Sequence, residues 1–290
     1  MKTTTRYTTT ILTLALLLTL GGCVKDELHD TPHPDTGKIT VTADWADRGE
    51  GVDIPVSWHI VMGDYTGTET GATHSPDYLF NPGSYTLAVY NPADGITVSG
   101  MTAAVAAADG SFIVNTPGWL FTFVQEVAIE ADTDYELTAV MHQQVRELTL
   151  MIEPEGDAAD RIESIEGTLS GAAGTLDFAT GTHGTPSEVE LHFTKITEGD
   201  NAGKWMATVR LLGIAGDAQR LTATLTYIDG NPQPTSLNSD LTAALDDFND
   251  DKTAPLTLGG TLAETPGEAG FTGEITGWET VDGGGVDAEM

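Results

Sequence analysis

A second cysteine is missing. Cys23 is the only thiol in 290 residues, so no intramolecular disulfide can form and the fold must rest on its core and hydrogen bonds. Basic residues are scarce, with 12 Lys+Arg against 44 Asp+Glu. A chain of formal net charge −32 is repelled by phosphate backbones and anionic headgroups, which excludes nucleic-acid binding and purely electrostatic membrane binding. Long apolar runs are missing as well. Ile11 to Leu20 (ILTLALLLTL) is ended by Gly21-Gly22 after about half of the roughly 20 apolar residues that span a bilayer.

Catalytic signatures are equally thin. No Gly-x-Ser-x-Gly elbow occurs. Gly199-Asp200-Asn201-Ala202-Gly203-Lys204 is one residue short of a phosphate loop, and Trp205 stands where a magnesium-binding hydroxyl belongs, so a hairpin turn is expected there. Asp247, Asn249 and Asp251 have the opening spacing of a calcium loop, but Lys252 replaces its glycine and Leu258 its bidentate glutamate. His29 and His33 are four apart, yet Pro32 and Pro34 oppose the helix that would pair them. His59, His74, His142, His183 and His192 are dispersed, with His59 and His192 on the polar phase of their runs. The expectation is a protein that is not an enzyme, with no metal and no cofactor.

What is present begins with Lys2 and Arg6 ahead of the short apolar run, the layout of an export signal. Leu20-Gly21-Gly22-Cys23 resembles a bacterial lipobox, in which small residues let a peptidase seat the backbone and the thiol receives the lipid. Cleavage is expected between Gly22 and Cys23, with Cys23 lipidated. Removing both early basic residues leaves 10 Lys+Arg against 44 acids, a mature charge near −34. Such a chain is held at a membrane by its acyl groups alone, and the three usual for such a cysteine make attachment effectively irreversible. Val24 to Gly37 (VKDELHDTPHPDTG) has no periodicity and two prolines. It reads as a tether able to extend about 45 Å. The acidic balance of Lys25-Asp26-Glu27 resembles an export tag for the cell surface.

Beyond Gly37 the period becomes two. Ile39, Val41, Ala43 and Trp45 alternate with polar residues, as do Trp58, Ile60 and Met62, and turns such as Asn81-Pro82-Gly83 separate further runs. Apolar parity is odd through Tyr135, Leu137, Ala139 and Met141, then even at Leu148, Leu150 and Ile152. One flat strand cannot do that, so Met141 to Gln144 is read as a crossing between two β-sandwiches. Residues 1–22 are then the signal, 23–37 the tether, 38–142 and 143–281 the sandwiches, and 282–290 a Gly-rich acidic tail. One helix is expected, with Leu241, Ala244, Leu245 and Phe248 on one face behind Asn238 or Ser239 as cap.

Several stretches carry a family resemblance. They are Cys23-Val24-Lys25-Asp26 followed by Lys38-Ile39-Thr40-Val41, the run NPGSYTLAVYN from Asn81 to Asn91, QVRELTL from Gln144 to Leu150, DRIESI from Asp160 to Ile165, and LSGAAG from Leu169 to Gly174. In this order the chain resembles the FimB-like anchoring lipoproteins of the type V fimbriae made by Bacteroidales-type bacteria. The resemblance implies an all-β protein of two tandem transthyretin-like antiparallel sandwiches. It also implies lipid attachment at the outer membrane, fimbrial stalk subunits as partners, and a role in anchoring a fimbria and limiting its length.

Stalk subunits of such fimbriae are built for strand exchange, which needs a removable first strand and a donated last one. Arg48, in the turn Asp47-Arg48-Gly49-Glu50-Gly51 behind Ile39 to Trp45, is the candidate protease-sensitive site. Cleavage there would separate the body from its lipid and defeat an anchor, so an uncut surface arginine is favoured. The tail from Val281 to Met290 lacks alternation and is rich in glycine, a poor donor strand. The alternative function is a surface glycan-binding or adhesin lipoprotein. Trp45, Trp58 and Trp205 share the core phase of their runs, which leaves Trp119 and Trp278 as the tryptophans able to meet a sugar.

Overall fold

The computed structural model describes residues 35–109, 112–156, 159–267 and 270–281. The leader, Gly22, Cys23 and residues 282–290 lie outside them. The first half opens with β1 (Lys38–Asp44), β2 (Trp58–Met62), β3 (Tyr65–Glu69), β4 (Thr73–His74) and β5 (Gly83–Tyr90). After β6 (Ile96–Ser99), β7 (Thr102–Val105) and β8 (Phe112–Ile113) come β9 (Phe121–Ile129), β10 (Asp134–Val140) and β11 (His142–Gln143). Two sheets form, ordered β10-β1-β4 and β11-β9-β5-β2-β3. Period-two alternation gives each an apolar face, and the faces meet over Ile39, Val41, Trp58, Ile60, Met62, Leu87, Phe121 and Met141.

The parity switch falls where the chain changes sheets. β10 ends beside β1, and Met141 donates its N–H to the Asp44 carbonyl at 2.8 Å. His142 and Gln143 then pair with Thr122 and Phe121 of β9. From Arg146 the chain runs as β12 (Arg146–Pro154) in a third sheet, where Leu148, Leu150 and Ile152 are fully buried.

That sheet also holds β13 (Ile162–Asp177), β14 (Thr182–Lys195), β15 (Trp205–Leu211), β16 (Arg220–Tyr227), β17 (Thr235–Asp240), β18 (Leu256–Gly267) and β19 (Gly270–Thr280). Its order closes on itself: β13-β16-β17-β19-β18-β12-β15-β14, with β14 paired back to β13. Two joints in this ring have short ladders among the described residues. β14 pairs with β15 at Thr194 and Lys195, and β17 pairs with β19 at Leu237 opposite Gly273. The ring is thus two layers, β13-β14-β16-β17 against β12-β15-β18-β19, around a core that includes Leu148, Leu191, Val209, Leu225 and Phe248.

Three strands of the first half join this ring. β6 pairs with β7, β7 pairs with the end of β13, and β8 pairs with β14. Gly171 makes room for the exchange. Its φ of 77° and the register shift between Ser170 and Ala172 mark a bulge. Before it β13 borders β16, and after it β7. Ala103, Leu120, Val145, Leu176 and Leu212 form a small apolar cluster between the halves. Most ladders are antiparallel as expected, but β1–β10, β8–β14, β12–β18 and β17–β19 are parallel.

The expected helix does not form. Asn238 and Ser239 lie in β17, and residues 242–250 are a chain of turns. Leu245 N–H to Leu241 C=O is followed by the tighter Phe248 N–H to Leu245 C=O. Asp246, Asp247, Asn249, Asp250 and Asp251 disfavour continuation, because their side chains compete for backbone groups. Leu241, Leu245 and Phe248 are nonetheless buried, so the apolar spacing reported burial correctly and the element wrongly.

Candidate functional site

The chain is fastened to the fold before β1 begins. Thr36 accepts from Asp132 N–H at 3.0 Å, and Gly37 exchanges backbone hydrogen bonds with Phe80 at 2.8 and 3.0 Å. A side chain cannot stand at Gly37, since a Cβ would lie 2.7 Å from Ile129 Cγ2 and 2.8 Å from the Glu130 carbonyl. β1 then runs parallel to β10 from Lys38 opposite Asp134 to Asp44 opposite Val140. On its other edge Thr42 Oγ1 meets Thr73 Oγ1 at 2.9 Å. β1 is therefore the middle strand of its sheet, with Ile39, Val41 and Ala43 in the core.

The loop after β1 carries Arg48, and it is closed on itself. The exposed Arg48 donates from its guanidinium to the Trp45 carbonyl at 2.9 Å and from Nε to the Val52 carbonyl at 3.1 Å. The next residue, Gly49, is buried and donates its N–H to Gln143 Oε1 at 2.9 Å. A Cβ on Gly49 would lie 2.5 Å from the Thr253 carbonyl, so this loop sits directly on the second half of the chain.

Gln143 is the hub of that contact. Besides accepting from Gly49, its Nε2 donates to the carbonyls of Val145 and Lys252. Lys252 Nζ reaches Gln144 Oε1 at 3.2 Å, the Leu212 carbonyl at 3.4 Å and His183 Nε2 at 3.0 Å. Burial lowers the Lys252 pKa to about 8. Burial and then the nearby ammonium hold His183 at about 4, which leaves a neutral ring to accept from Lys252. Arg146 braces the same segment, donating to the Ala254 and Phe248 carbonyls at 2.7 and 2.8 Å with its guanidinium over the Phe248 ring. Burial lowers the Arg146 pKa. This arrangement fixes one half against the other.

The sequence did not single out Gln143, His183 or Lys252 as a unit. Its traces were the parity switch beside Gln143 and the lysine that spoils a calcium loop. The loop's other members are engaged elsewhere: Asn249 binds the Ile214 backbone through both side-chain atoms, and Asp251 accepts from Thr253. The phosphate-loop look-alike is the turn between β14 and β15, where Gly203 N–H donates to Ile196 C=O. His192 is exposed beside Glu166 as its phase implied, whereas His59 is half-buried and bonded to Thr68. Trp45, Trp58 and Trp205 are buried. Trp119 lies half-buried beneath Arg210, and Trp278 half-buried with its Nε1 on Ser239 Oγ at 2.8 Å.

Comparison with known proteins places this architecture. Residues 63–283 match the family of fimbrillin-A associated anchor proteins Mfa1 and Mfa2. No curated protein matches the sequence. Among solved structures the chain is similar to the fimbrial anchor protein Mfa2 from Porphyromonas gingivalis, with TM-score 0.55 and 13% identity over 82% of this chain and 95% of that one. Two adhesin structures described as putative, both from Bacteroides ovatus, are also similar. One has TM-score 0.55 and 10% identity over 86% and 97% of the two chains, and the other 0.54 and 17% over 78% and 89%. At such identities the structures speak for the fold, and the family match over most of the chain speaks for descent. The chain belongs to the Mfa2 family of fimbrillin-A associated anchor proteins.

Proposed function

We propose that this protein is a non-enzymatic minor fimbrial subunit that fastens a fimbria to the outer membrane through acyl chains on Cys23 and limits the fibre's length. Family membership supports a fimbrial role at the cell surface. The observation that carries the anchoring reading is the placement of β1. A fibre pulls against its lipid through the tether, and that load enters the fold at Gly37 and β1. The ladder from Lys38 to Asp44 lies along the strand, so its bonds bear such a load together. Behind it, the peptide after Arg48 is held by Gln143, which protects the link between lipid and body from a trypsin-like protease.

Attachment to stalk subunits occurs through strand-mediated contacts, and the poor donor character of residues 282–290 makes this subunit a terminus. The direct test is Cys23→Ala, followed by fractionation and immunoblotting of the protein and its co-expressed fimbriae. The expected result is release of the protein together with long fibres shed into the medium. Release of the protein while fibres stay attached would sink the reading. A deletion of residues 282–290 is expected to leave assembly intact, and loss of assembly would refute the terminal role.

A further inference from the structure

Beside the joint between β17 and β19 lies an open groove. It has a volume of about 570 Å³ and is lined by Arg220, Asn238, Ser239, Asp240, Ala244 and Trp278. Its floor is built and fixed. Trp278 Nε1 donates to Ser239 Oγ at 2.8 Å, and that hydroxyl donates to the Ile275 carbonyl at 3.2 Å. The indole is further located by Gly260, where a Cβ would lie 3.1 Å from Cδ2 and Cε3 of the ring. The half-buried indole packs in part against the apolar core and also lines the groove.

The rim is polar and planar. Asn238 and Asp240 project from β17 and Arg220 from β16, with Arg220 and Asp240 paired at 3.4 Å. Asp240 stays ionised because Thr242 hydrogen-bonds to its carboxylate and lowers its pKa. At Gly277, φ 68°, no side chain narrows the entrance.

We propose that this groove is a binding site for a neutral saccharide. A pyranose offers an apolar C–H face to a fixed aromatic ring and vicinal hydroxyls to amide, carboxylate and guanidinium groups, and Trp278, Asn238, Asp240 and Arg220 all line this groove. Neutrality follows from charge, because the local Arg–Asp pair cancels and a chain of net charge −32 disfavours acidic sugars. The site is independent of the anchoring role, so neither reading falls with the other.

The experiment titrates the full chain with maltopentaose, cellopentaose, mannopentaose and chitopentaose, with an oligogalacturonate as the acidic comparison, reading tryptophan fluorescence and calorimetry. At least one neutral sugar is expected to bind, with affinity reduced at least tenfold in Trp278→Ala and several-fold in Asn238→Ala. The second variant alters an exposed side chain outside the fixed floor, so it keeps the test valid should the first unfold. Silence of the whole neutral panel, equal binding of the oligogalacturonate, or binding that survives both substitutions overturns the proposal.

Discussion

The two halves solve one problem with different closures. The second half shuts its layers into a ring through long strands, and β13 pairs with β14 almost end to end. The first half has two separate short sheets, gives β6, β7 and β8 to its neighbour, and keeps its inner face covered by β1, a strand pinned at Gly37 and behind Arg48. A ring has few edges to lose, whereas the smaller half depends on one strand and one junction. The half nearer the proposed lipid is therefore the one whose stability is borrowed.

The largest way to break this comparison is in the ring core. Phe248 is buried under Arg146, and Phe248→Ala is expected to cost about 3–5 kcal/mol. Denaturant unfolding followed by hydrogen exchange should show both halves losing protection together, because the first half leans on residues 249–254. Loss of protection confined to the ring would show the halves to be independent.

Cutting the junction itself is expected to cost less and to separate the halves. Gln143→Ala leaves Gly49 N–H and the Val145 and Lys252 carbonyls without their shared partner, an effect of about 1–3 kcal/mol. Exchange should rise first at residues 46–52. The same variant should expose the bond after Arg48 to trypsin. A variant as resistant as the parent would show that the loop's own hydrogen bonds suffice.

A still smaller effect depends on pH. His183 titrates near 4 in the fold against an ordinary 6.5. Between those values the unfolded chain binds the proton and the native one does not, so this site loses stability as pH falls from about 6.5 to 4. Lys252, near 8 instead of 10.5, likewise gains stability as pH rises through that upper window. Thermal midpoints of the parent and His183→Gln should draw together on going from pH 7 to pH 4.5. Taking the difference cancels the acidic surface shared by both. A constant gap would mean that His183 is not buried against Lys252.

The all-β class and the core phase of the strands were legible because each follows from local alternation. The ring, the donation of β7 and β8 and the parallel ladders were not, since pairing partners leave no periodicity in either strand. The helix failed for a related reason: Leu241, Leu245 and Phe248 report burial, and turns deliver burial as well as a helix does. The junction was invisible because Gln143, His183 and Lys252 come from distant segments, and each is unremarkable alone. Arg48 was visible as a residue, but its closure by Trp45, Val52 and the neighbouring Gly49–Gln143 bond was not.

Two buried tryptophans sharpen the contrast at the smallest scale. Trp58 in the first half donates its indole N–H to the Gly71 carbonyl at 2.7 Å, whereas Trp205 in the ring has no acceptor for the same group. Phenylalanine removes the donor and some volume at both sites. At position 58 it should lose the hydrogen bond, about 1 kcal/mol, together with packing. At position 205 removing an unsatisfied donor offsets the packing loss, and the net change should lie within about 1 kcal/mol of zero. Chemical denaturation of Trp58→Phe and Trp205→Phe tests the ranking. An equal loss at both positions would mean that the Trp205 N–H finds a partner in solution, and that the tighter half is not the one carrying the uncompensated polar group.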